Sequence, residues 1–179
     1  MAQAMRVASP NFNERPEDAE ISLLVIHAMS LPPGVYETSN VDALFCNRLD
    51  PAGHPYFESI QHLQVSSHLL IDRQGGLRQY VDFAKRAWHA GASVYEGRQD
   101  CNDFSIGIEL LGDEFSPYTD AQYDVLARLT CSLMAQYPAI TPTRVVGHQH
   151  VAVGRKTDPG QSFDWPRFRA HVADELYKE

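Results

Sequence analysis

The first apolar run of the chain reads Ile21-Ser22-Leu23-Leu24-Val25-Ile26-His27, and it gives the strongest indication of the architecture. The four consecutive apolar residues Leu23–Ile26 are typical of a strand that is buried on both faces of a sheet. His27 then ends the run with a side chain that can bind a metal ion or transfer a proton. We therefore expect a buried strand that carries a functional group at its end.

Four further strands are expected along the chain. Ser66–Asp72 and Leu77–Val81 flank the polar, glycine-bearing segment 73–76, and this pattern is typical of a β-hairpin. Phe104–Leu110 alternates isoleucines with smaller residues, as strands do, and Thr143–Gly147 is a short apolar segment of the same kind. The hairpin requires antiparallel neighbours, so we expect a mixed sheet rather than a purely parallel one.

Helices are expected between and after these strands. The clearest is Asp120–Tyr137, whose apolar residues recur every three or four positions after the capping-box pattern Thr119-x-x-Gln122. Shorter helices are expected at Tyr56–His62 and Trp165–Tyr177, and the remainder of the long polar segment after Gly34 is expected to be a loop. The alternation of elements predicts a single α/β domain over residues 1–179, with a mixed central β-sheet flanked by helices.

Composition and charge exclude several classes of protein. The 179 residues are 44% hydrophobic and carry a formal net charge of −8, which argues against a nucleic-acid partner because such proteins usually present a basic surface. The three cysteines lack any Cys-x-x-Cys spacing and are expected to be free thiols in a reducing compartment. Without a secretory signal or an apolar run of about 18 residues, the chain is expected to be cytoplasmic and not to bind membranes.

The segment Gly147–Gly160 supplies the residues for a hydrolytic metal site. His148 and Asp158, taken together with His27, offer two nitrogens and one oxygen, which is a ligand set typical of catalytic zinc because it leaves one tetrahedral position open. Glu109, near the end of its strand, is a candidate general base and acid, and Lys156 is a candidate cation for a developing oxyanion. These residue types together predict a hydrolase.

Other interpretations of these residues stay open at this point. His148 and His150 lie two positions apart, so in a strand their side chains would face the same way and bind a metal ion as a pair. Asp158 before Pro159 is also common at the start of a turn, and Lys156 is also typical of a solvated loop.

Four separated motifs occur along the chain, and they are Ser30-Leu31-Pro32-Pro33-Gly34 after His27, Lys85-Arg86-Ala87-Trp88-His89-Ala90-Gly91, Cys101-Asn102-Asp103-Phe104-Ser105-Ile106-Gly107-Ile108-Glu109 and Gly154-Arg155-Lys156-Thr157-Asp158-Pro159-Gly160. In residues and in order they resemble the type 2 N-acetylmuramoyl-L-alanine amidases of the peptidoglycan-recognition family, and among them the cytoplasmic enzymes that act on 1,6-anhydro muropeptides. The resemblance covers about residues 6–172, which we take as the domain core.

The resemblance implies the amidase/peptidoglycan-recognition fold and one Zn²⁺ ion. The implied reaction is hydrolysis of the bond between the lactyl group of 1,6-anhydro-N-acetylmuramic acid and L-alanine of the stem peptide. In a bacterium this reaction recycles cell-wall fragments and depletes the muropeptides that induce β-lactamase. We accordingly expect an anhydro-muropeptide as the partner, and a monomeric enzyme.

The resemblance also assigns roles to residues. His27, His148 and Asp158 inherit the zinc-ligand roles, and their grouping across the sequence depends on the resemblance. Glu109 inherits the acid and base role and Lys156 the oxyanion role. The residues implied at the substrate are Trp88, His89 and Asn102.

Four positions differ from the family pattern. Ala28, Gln64 and Asp100 stand where relatives often carry Asn, Arg and Arg, so we assign no substrate contact to them, and His150 stands in place of a usual Asp. Two competing functions are a non-catalytic receptor of wall fragments on the same fold and an amidase that acts on intact peptidoglycan.

Overall fold

The computed structural model describes residues 4–178, so the two ends of the predicted domain, residues 1–3 and 179, lie outside the described residues. The strands are β1 (Met5–Arg6), β2 (Phe12–Glu14), β3 (Leu23–Met29), β4 (Leu69–Ile71), β5 (Leu77–Gln79), β6 (Lys85–Ala87), β7 (Val94–Tyr95), β8 (Arg98–Gln99), β9 (Ser105–Leu111) and β10 (Val145–Gly147). The α-helices are α1 (Thr38–Phe45), α2 (Pro55–Ile60), α3 (Asp120–Gln136), α4 (His148–Val151) and α5 (Trp165–Leu176). Short 3₁₀ turns lie at Pro51–Gly53, Cys101–Asp103 and Pro142–Arg144.

Six strands form the central sheet in the order β1-β5-β4-β9-β3-β10. The pair β4–β5 is antiparallel, as expected of the hairpin, and the other neighbours are parallel. The prediction of a mixed central sheet flanked by helices is therefore confirmed. The pairs β2–β6 and β7–β8 form two small antiparallel sheets beside it.

Side chains alternate between the two faces of the central strands, and each face has its own core. On one face, Leu24 and Ile26 of β3 and Ile106 and Ile108 of β9 pack in one cluster with residues of α3 and α5. On the opposite face, β4 contributes Leu70 to a second cluster, which includes residues of α1 and α2. The polar side chains of His27 and Glu109 lie on this second face.

Helix α3 forms as its sequence predicts. The Thr119 hydroxyl accepts from the backbone N–H of Gln122, and the Gln122 side chain accepts from the backbone N–H of Thr119, which completes the capping box. Leu126 and Leu133 face the core, and the helix ends at Gln136, just before Pro138.

The prediction of a polar loop after Gly34 is wrong in one part, because this segment contains helix α1. Val41, Leu44 and Phe45 of this helix are buried, and that burial stabilises a segment whose composition is otherwise polar. The strand expected at Ser66–Asp72 is shorter, since the backbone N–H of Ser66 donates to Trp88 O outside the central sheet.

Arg15 connects the N-terminal segment to the loops that surround β9. Its guanidinium is mostly buried and donates to the carbonyl oxygens of four residues, which are Phe83, Asn102, Asp103 and Ser105. Burial lowers the pKa of Arg15 to about 10, so the group remains a cation at neutral pH. No helix among residues 4–178 is long and apolar enough to cross a membrane.

Candidate metal centre and catalytic site

Three of the predicted site residues lie at the carboxyl ends of three adjacent parallel strands. In the register of β3 and β9, His27 pairs directly with Glu109, so both side chains lie on the same face. Strand β10 pairs with β3 on its other side, with Gly147 opposite Ile26, and His148 follows immediately as the first residue of α4. The fold therefore brings together residues that are far apart in sequence.

Asp158 reaches the same point from the loop after α4. Its backbone oxygen accepts from the N–H of Gln149 at 3.0 Å, which holds the loop against the helix. One carboxylate oxygen then lies 3.1 Å from His148 Nδ1 and 3.4 Å from His27 Nδ1, and the two Nδ1 atoms are 3.0 Å apart. The three side chains thus present one donor atom each to a common centre.

This triangle fits a zinc ion. Donors at about 2.0–2.1 Å from tetrahedral zinc are separated from one another by about 3.3 Å, close to the separations found here. Two imidazoles and one carboxylate also have the donor chemistry that zinc accepts. His27 and His148 are buried and Asp158 is partly buried, so the surrounding protein restricts the positions of the three side chains.

The protonation states of the ligands also suit metal binding. Burial lowers the pKa of His27 to about 4, which leaves a neutral imidazole with a free lone pair at neutral pH. Burial alone would raise the pKa of Asp158, but hydrogen bonds with His148 and His27 outweigh it and hold that pKa well below its usual range. A neutral imidazole and a carboxylate are the forms that bind zinc.

Glu109 is buried beside this triangle, and the residue is 8% exposed. Among residues 4–178 its Oε2 atom has no hydrogen-bond partner. Burial raises the pKa of Glu109 well above its ordinary value, the negative charge of Asp158 raises it further, and Lys156 opposes both effects. A carboxyl group with a raised pKa is suited to accept a proton and to return it.

A cavity of about 390 Å³ opens over the triangle and holds the other predicted residues of the site. Glu109 and Lys156 line it together with the three ligand residues, and Lys156 itself is exposed. Apolar side chains at its walls, which the sequence analysis did not single out, include Tyr56, Leu63 and Phe115. Their spacing in the sequence does not predict a shared cavity, because the segment around α2 and the loop after β9 come together only in the folded chain.

The three expected substrate residues have different positions. Trp88 lines the cavity and its Nε1–H donates to Asn13 Oδ1 at 2.7 Å. His89 also lines the cavity, but it is buried and its Nδ1 lies 2.9 Å from Nε2 of His27. Asn102 is buried outside the described cavity lining, where its Oδ1 accepts from the backbone N–H groups of His89 and Ala90.

The proposed pairing of His148 with His150 does not fit the structure. These residues belong to a helix rather than a strand, so they do not share a face. The His150 Nδ1 accepts from the backbone N–H of Gly147, and its ring packs against Trp165. Of the positions that differ from the family pattern, Ala28 lines the cavity, whereas Gln64 and Asp100 are exposed.

Comparison with known proteins identifies relatives of the whole chain. The profile of a family described as N-acetylmuramoyl-L-alanine amidase matches residues 17–161. The 1,6-anhydro-N-acetylmuramyl-L-alanine amidase AmpD of Salmonella typhimurium (strain SL1344) is 55% identical over 179 residues, which cover 100% of this chain and 95% of that protein. The protein of the same name from Escherichia coli (strain K12) is 54% identical over 172 residues, or 96% of this chain and 93% of its own length.

Solved structures of amidases are also similar to this chain. A crystal structure of a selenomethionine AmpD derivative matches with a TM-score of 0.92 and 56% identity, and the match covers 96% of each chain. The amidase AmiD from E. coli, solved with the substrate anhydro-N-acetylmuramic acid-L-Ala-D-γ-Glu-L-Lys, matches with a TM-score of 0.63 and 29% identity. That match covers 88% of this chain and 60% of AmiD.

Proposed function

The chain belongs to the N-acetylmuramoyl-L-alanine amidase family, and from that premise we propose that it is a zinc-dependent amidase of soluble 1,6-anhydro muropeptides. The bond hydrolysed joins the lactyl carbonyl of 1,6-anhydro-N-acetylmuramic acid to the nitrogen of L-alanine. The observation that carries the proposal is the triangle of His27, His148 and Asp158 donor atoms beside the buried Glu109.

His27, His148 and Asp158 would hold the zinc ion. When bound, zinc would lower the pKa of a water molecule to about 7 and polarise the amide carbonyl. Glu109 accepts the proton that water loses as it adds to the lactyl carbonyl carbon, and then donates this proton to the alanine nitrogen as the C–N bond breaks. The products are a muramic acid with a free lactyl carboxyl group and a peptide with a free amino terminus.

Lys156 would stabilise the negative charge that develops on the carbonyl oxygen. Its side chain lines the same cavity as Glu109, and its charge acts on both Glu109 and His27. A cation at the wall of the reaction cavity can stabilise an oxyanion that forms within reach of its ammonium group. Trp88 on the cavity wall would contact the sugar, since an indole presents a broad apolar face to a pyranose ring.

The relatives support the proposed substrate. The protein names of the closely similar sequences specify 1,6-anhydro-N-acetylmuramyl-L-alanine, and AmiD has been solved with a substrate of that chemistry. We place the chain in the bacterial cytoplasm as a monomer, where it would recycle peptidoglycan fragments. Removal of these muropeptides would in turn lower the induction of β-lactamase.

The test is release of peptide from 1,6-anhydro-N-acetylmuramoyl tripeptide by the zinc-loaded protein, followed by mass spectrometry. We expect a product that begins with L-alanine, its loss on chelation and its return when zinc is added. Asp158→Ala is expected to lose both zinc and turnover, because it removes one of three ligands. Asp18→Ala is the matched control, since Asp18 is exposed and lies outside the triangle, and it is expected to retain zinc.

The remaining outcomes separate the competing functions. Tight binding of the tripeptide by zinc-loaded protein without any product would contradict the enzyme and support a receptor of wall fragments. Clearing of purified wall sacculi as fast as the soluble fragment is cleaved would instead support an amidase of intact peptidoglycan. A fully active Asp158→Ala protein would remove the basis for the metal site.

A further inference from the structure

His89 lies on the side of His27 that faces away from the ligand triangle. His27 directs Nδ1 toward His148 and Asp158, and its Nε2 lies 2.9 Å from His89 Nδ1. We infer that His89 is a positioning residue that fixes the orientation and the tautomer of His27, so that Nδ1 is presented to the metal ion without a proton. The inference rests on the metal site proposed above and adds a residue to it.

One arrangement of hydrogens satisfies every group behind His27. If His27 Nδ1 carries a lone pair, Nε2 carries the hydrogen and donates it to His89 Nδ1. His89 then carries its own hydrogen on Nε2 and donates it to Ser105 Oγ at 3.2 Å. Ser105 donates its hydroxyl hydrogen to the carbonyl oxygen of Cys101. This chain of hydrogen bonds ends at the Cys101 carbonyl oxygen, which can only accept. Every donor in the chain must therefore point toward Cys101.

The reverse arrangement would harm the metal site. A hydrogen on His89 Nδ1 would force the hydrogen of neutral His27 onto Nδ1, among the ligand atoms. Ser105 would then have to donate to His89 Nε2, and its oxygen would face the carbonyl oxygen of Cys101 at 2.5 Å without a hydrogen between the two atoms. The environment behind His89 therefore selects the tautomer of His27 that can bind a metal ion.

The His89 ring is held in place by its surroundings. It lies against Gly107, where a Cβ atom would come within 2.5 Å of His89 Cγ, so only glycine leaves room for it. Asn102 Oδ1 accepts from the backbone N–H groups of His89 and Ala90, at 3.1 and 2.8 Å. Asn102 thereby fixes the backbone that carries the ring.

The same short segment also orients the second histidine ligand. The carbonyl oxygen of Ala90 lies 3.1 Å from Nε2 of His148, whose Nδ1 belongs to the ligand triangle. Arg155 donates to this carbonyl oxygen as well. Residues 89 and 90, anchored by Asn102, thus hold the outer nitrogens of both imidazole ligands. Both ring nitrogens of His89 are themselves engaged, by His27 and by Ser105.

The test compares His89→Asn with His89→Leu, two side chains of nearly equal shape. Asn retains an acceptor close to the position of Nδ1, whereas Leu does not. Zinc affinity is measured by competition with a chromogenic chelator, and the unfolding of the chelated proteins by urea is measured in parallel. We expect Leu to weaken zinc binding by about 10- to 100-fold, the range typical of lost partners behind a metal ligand, and Asn to recover most of that loss.

Two further variants separate positioning from general destabilisation. Ser105→Ala leaves the His89 ring in place but removes its acceptor, and it is expected to weaken zinc binding less than His89→Leu does. His68→Asn removes another buried imidazole, which lies 5.6 Å from the His89 ring and whose hydrogen bonds go to Arg15, Lys85 and Gly107 rather than to a ligand. It is expected to lower stability while zinc affinity stays unchanged.

The outcomes distinguish this inference from the proposed function. Zinc affinity of His89→Leu equal to that of the unmodified protein would overturn the positioning role. Equal weakening in the Asn and Leu variants would also overturn it, because the acceptor would then be irrelevant. An unmodified protein that binds no zinc would overturn the proposed function itself, and that result is visible before any variant is compared.

Discussion

The Glu109 side chain lies on β9 between Leu70 of β4 and His27 of β3. A carboxylate in this position loses most of its hydration, and its Oε2 atom gains no partner within residues 4–178. The folded state would be more stable with an apolar or amide side chain here, because a buried charge without a partner is unfavourable. The same raised pKa that destabilises the carboxylate suits it to transfer a proton, which agrees with the catalytic role proposed for Glu109.

We predict that Glu109→Gln retains zinc but loses turnover by about 10²- to 10⁴-fold, the usual contribution of a general acid and base. The amide keeps the shape of the side chain and cannot transfer the proton. The measurement is the rate of tripeptide cleavage at matched zinc occupancy. Turnover within a few-fold of the unmodified protein would show that another group carries the proton.

The same variant carries a prediction about stability and pH. The pKa of Glu109 is raised by burial in the folded protein, so above its unfolded value of 4.5 the folded state binds more protons than the unfolded state. The contribution of Glu109 to the free energy of unfolding therefore falls as pH rises from that value through the folded pKa. In chelated protein, the stability gained by Glu109→Gln is expected to be larger at pH 8 than at pH 5, as measured by urea unfolding. Glu17→Gln, at an exposed position, is the control, and a gain independent of pH would contradict the prediction.

The elements that the sequence predicted well are those with a long or repeated pattern. Strand β3 and helix α3 lie within two residues of the expected bounds, because their apolar spacing also describes their burial. Helix α1 was missed because only three of its residues are buried, within a polar segment. Strands β2 and β6 have three residues each, too few to show a period.

The site was predictable in its residue types but not in its arrangement. Local motifs indicate which residues can bind zinc, and these residues form the triangle. The proximity of His27 to Glu109 depends on the register of β3 with β9, and that register is set by packing across the sheet. The contact of His89 with His27 likewise arises from the folded loop, so the sequence could suggest only a cavity position for it.

Thr119 caps α3 and also donates to the carbonyl oxygen of Arg73, in the hairpin loop. We predict that Thr119→Ala lowers the free energy of unfolding by about 0.5–2 kcal/mol, because it removes the cap of the longest helix. Thr141→Ala is a matched control, since Thr141 precedes a 3₁₀ turn without a side-chain cap. Urea unfolding of both variants is the measurement, and equal losses would show that the cap is unimportant.

The proposed zinc ligands come from parts of the chain that only the complete fold brings together. His27 and His148 are separated by 121 positions, and Asp158 lies 10 positions beyond His148. An unfolded chain does not hold them together, so zinc is expected to bind the folded state preferentially. At free zinc 100-fold above Kd the gain in stability is about 2.7 kcal/mol, seen as a higher Tm that chelation reverses. Asp158→Ala is expected to lose the zinc-dependent rise, and a rise of equal size in this variant would place the ion elsewhere.

The buried guanidinium of Arg15 bears on how the protein can be shortened. The family profile spans residues 17–161, so it includes every ligand of the triangle but neither Arg15 nor helix α5. A polypeptide trimmed to those limits would leave four carbonyl oxygens without their cation and would uncover the core where Phe168 and Val172 now pack. The segment that the family profile matches is thus shorter than the segment whose contacts stabilise the fold. A shortened protein for engineering should therefore keep Arg15 and helix α5.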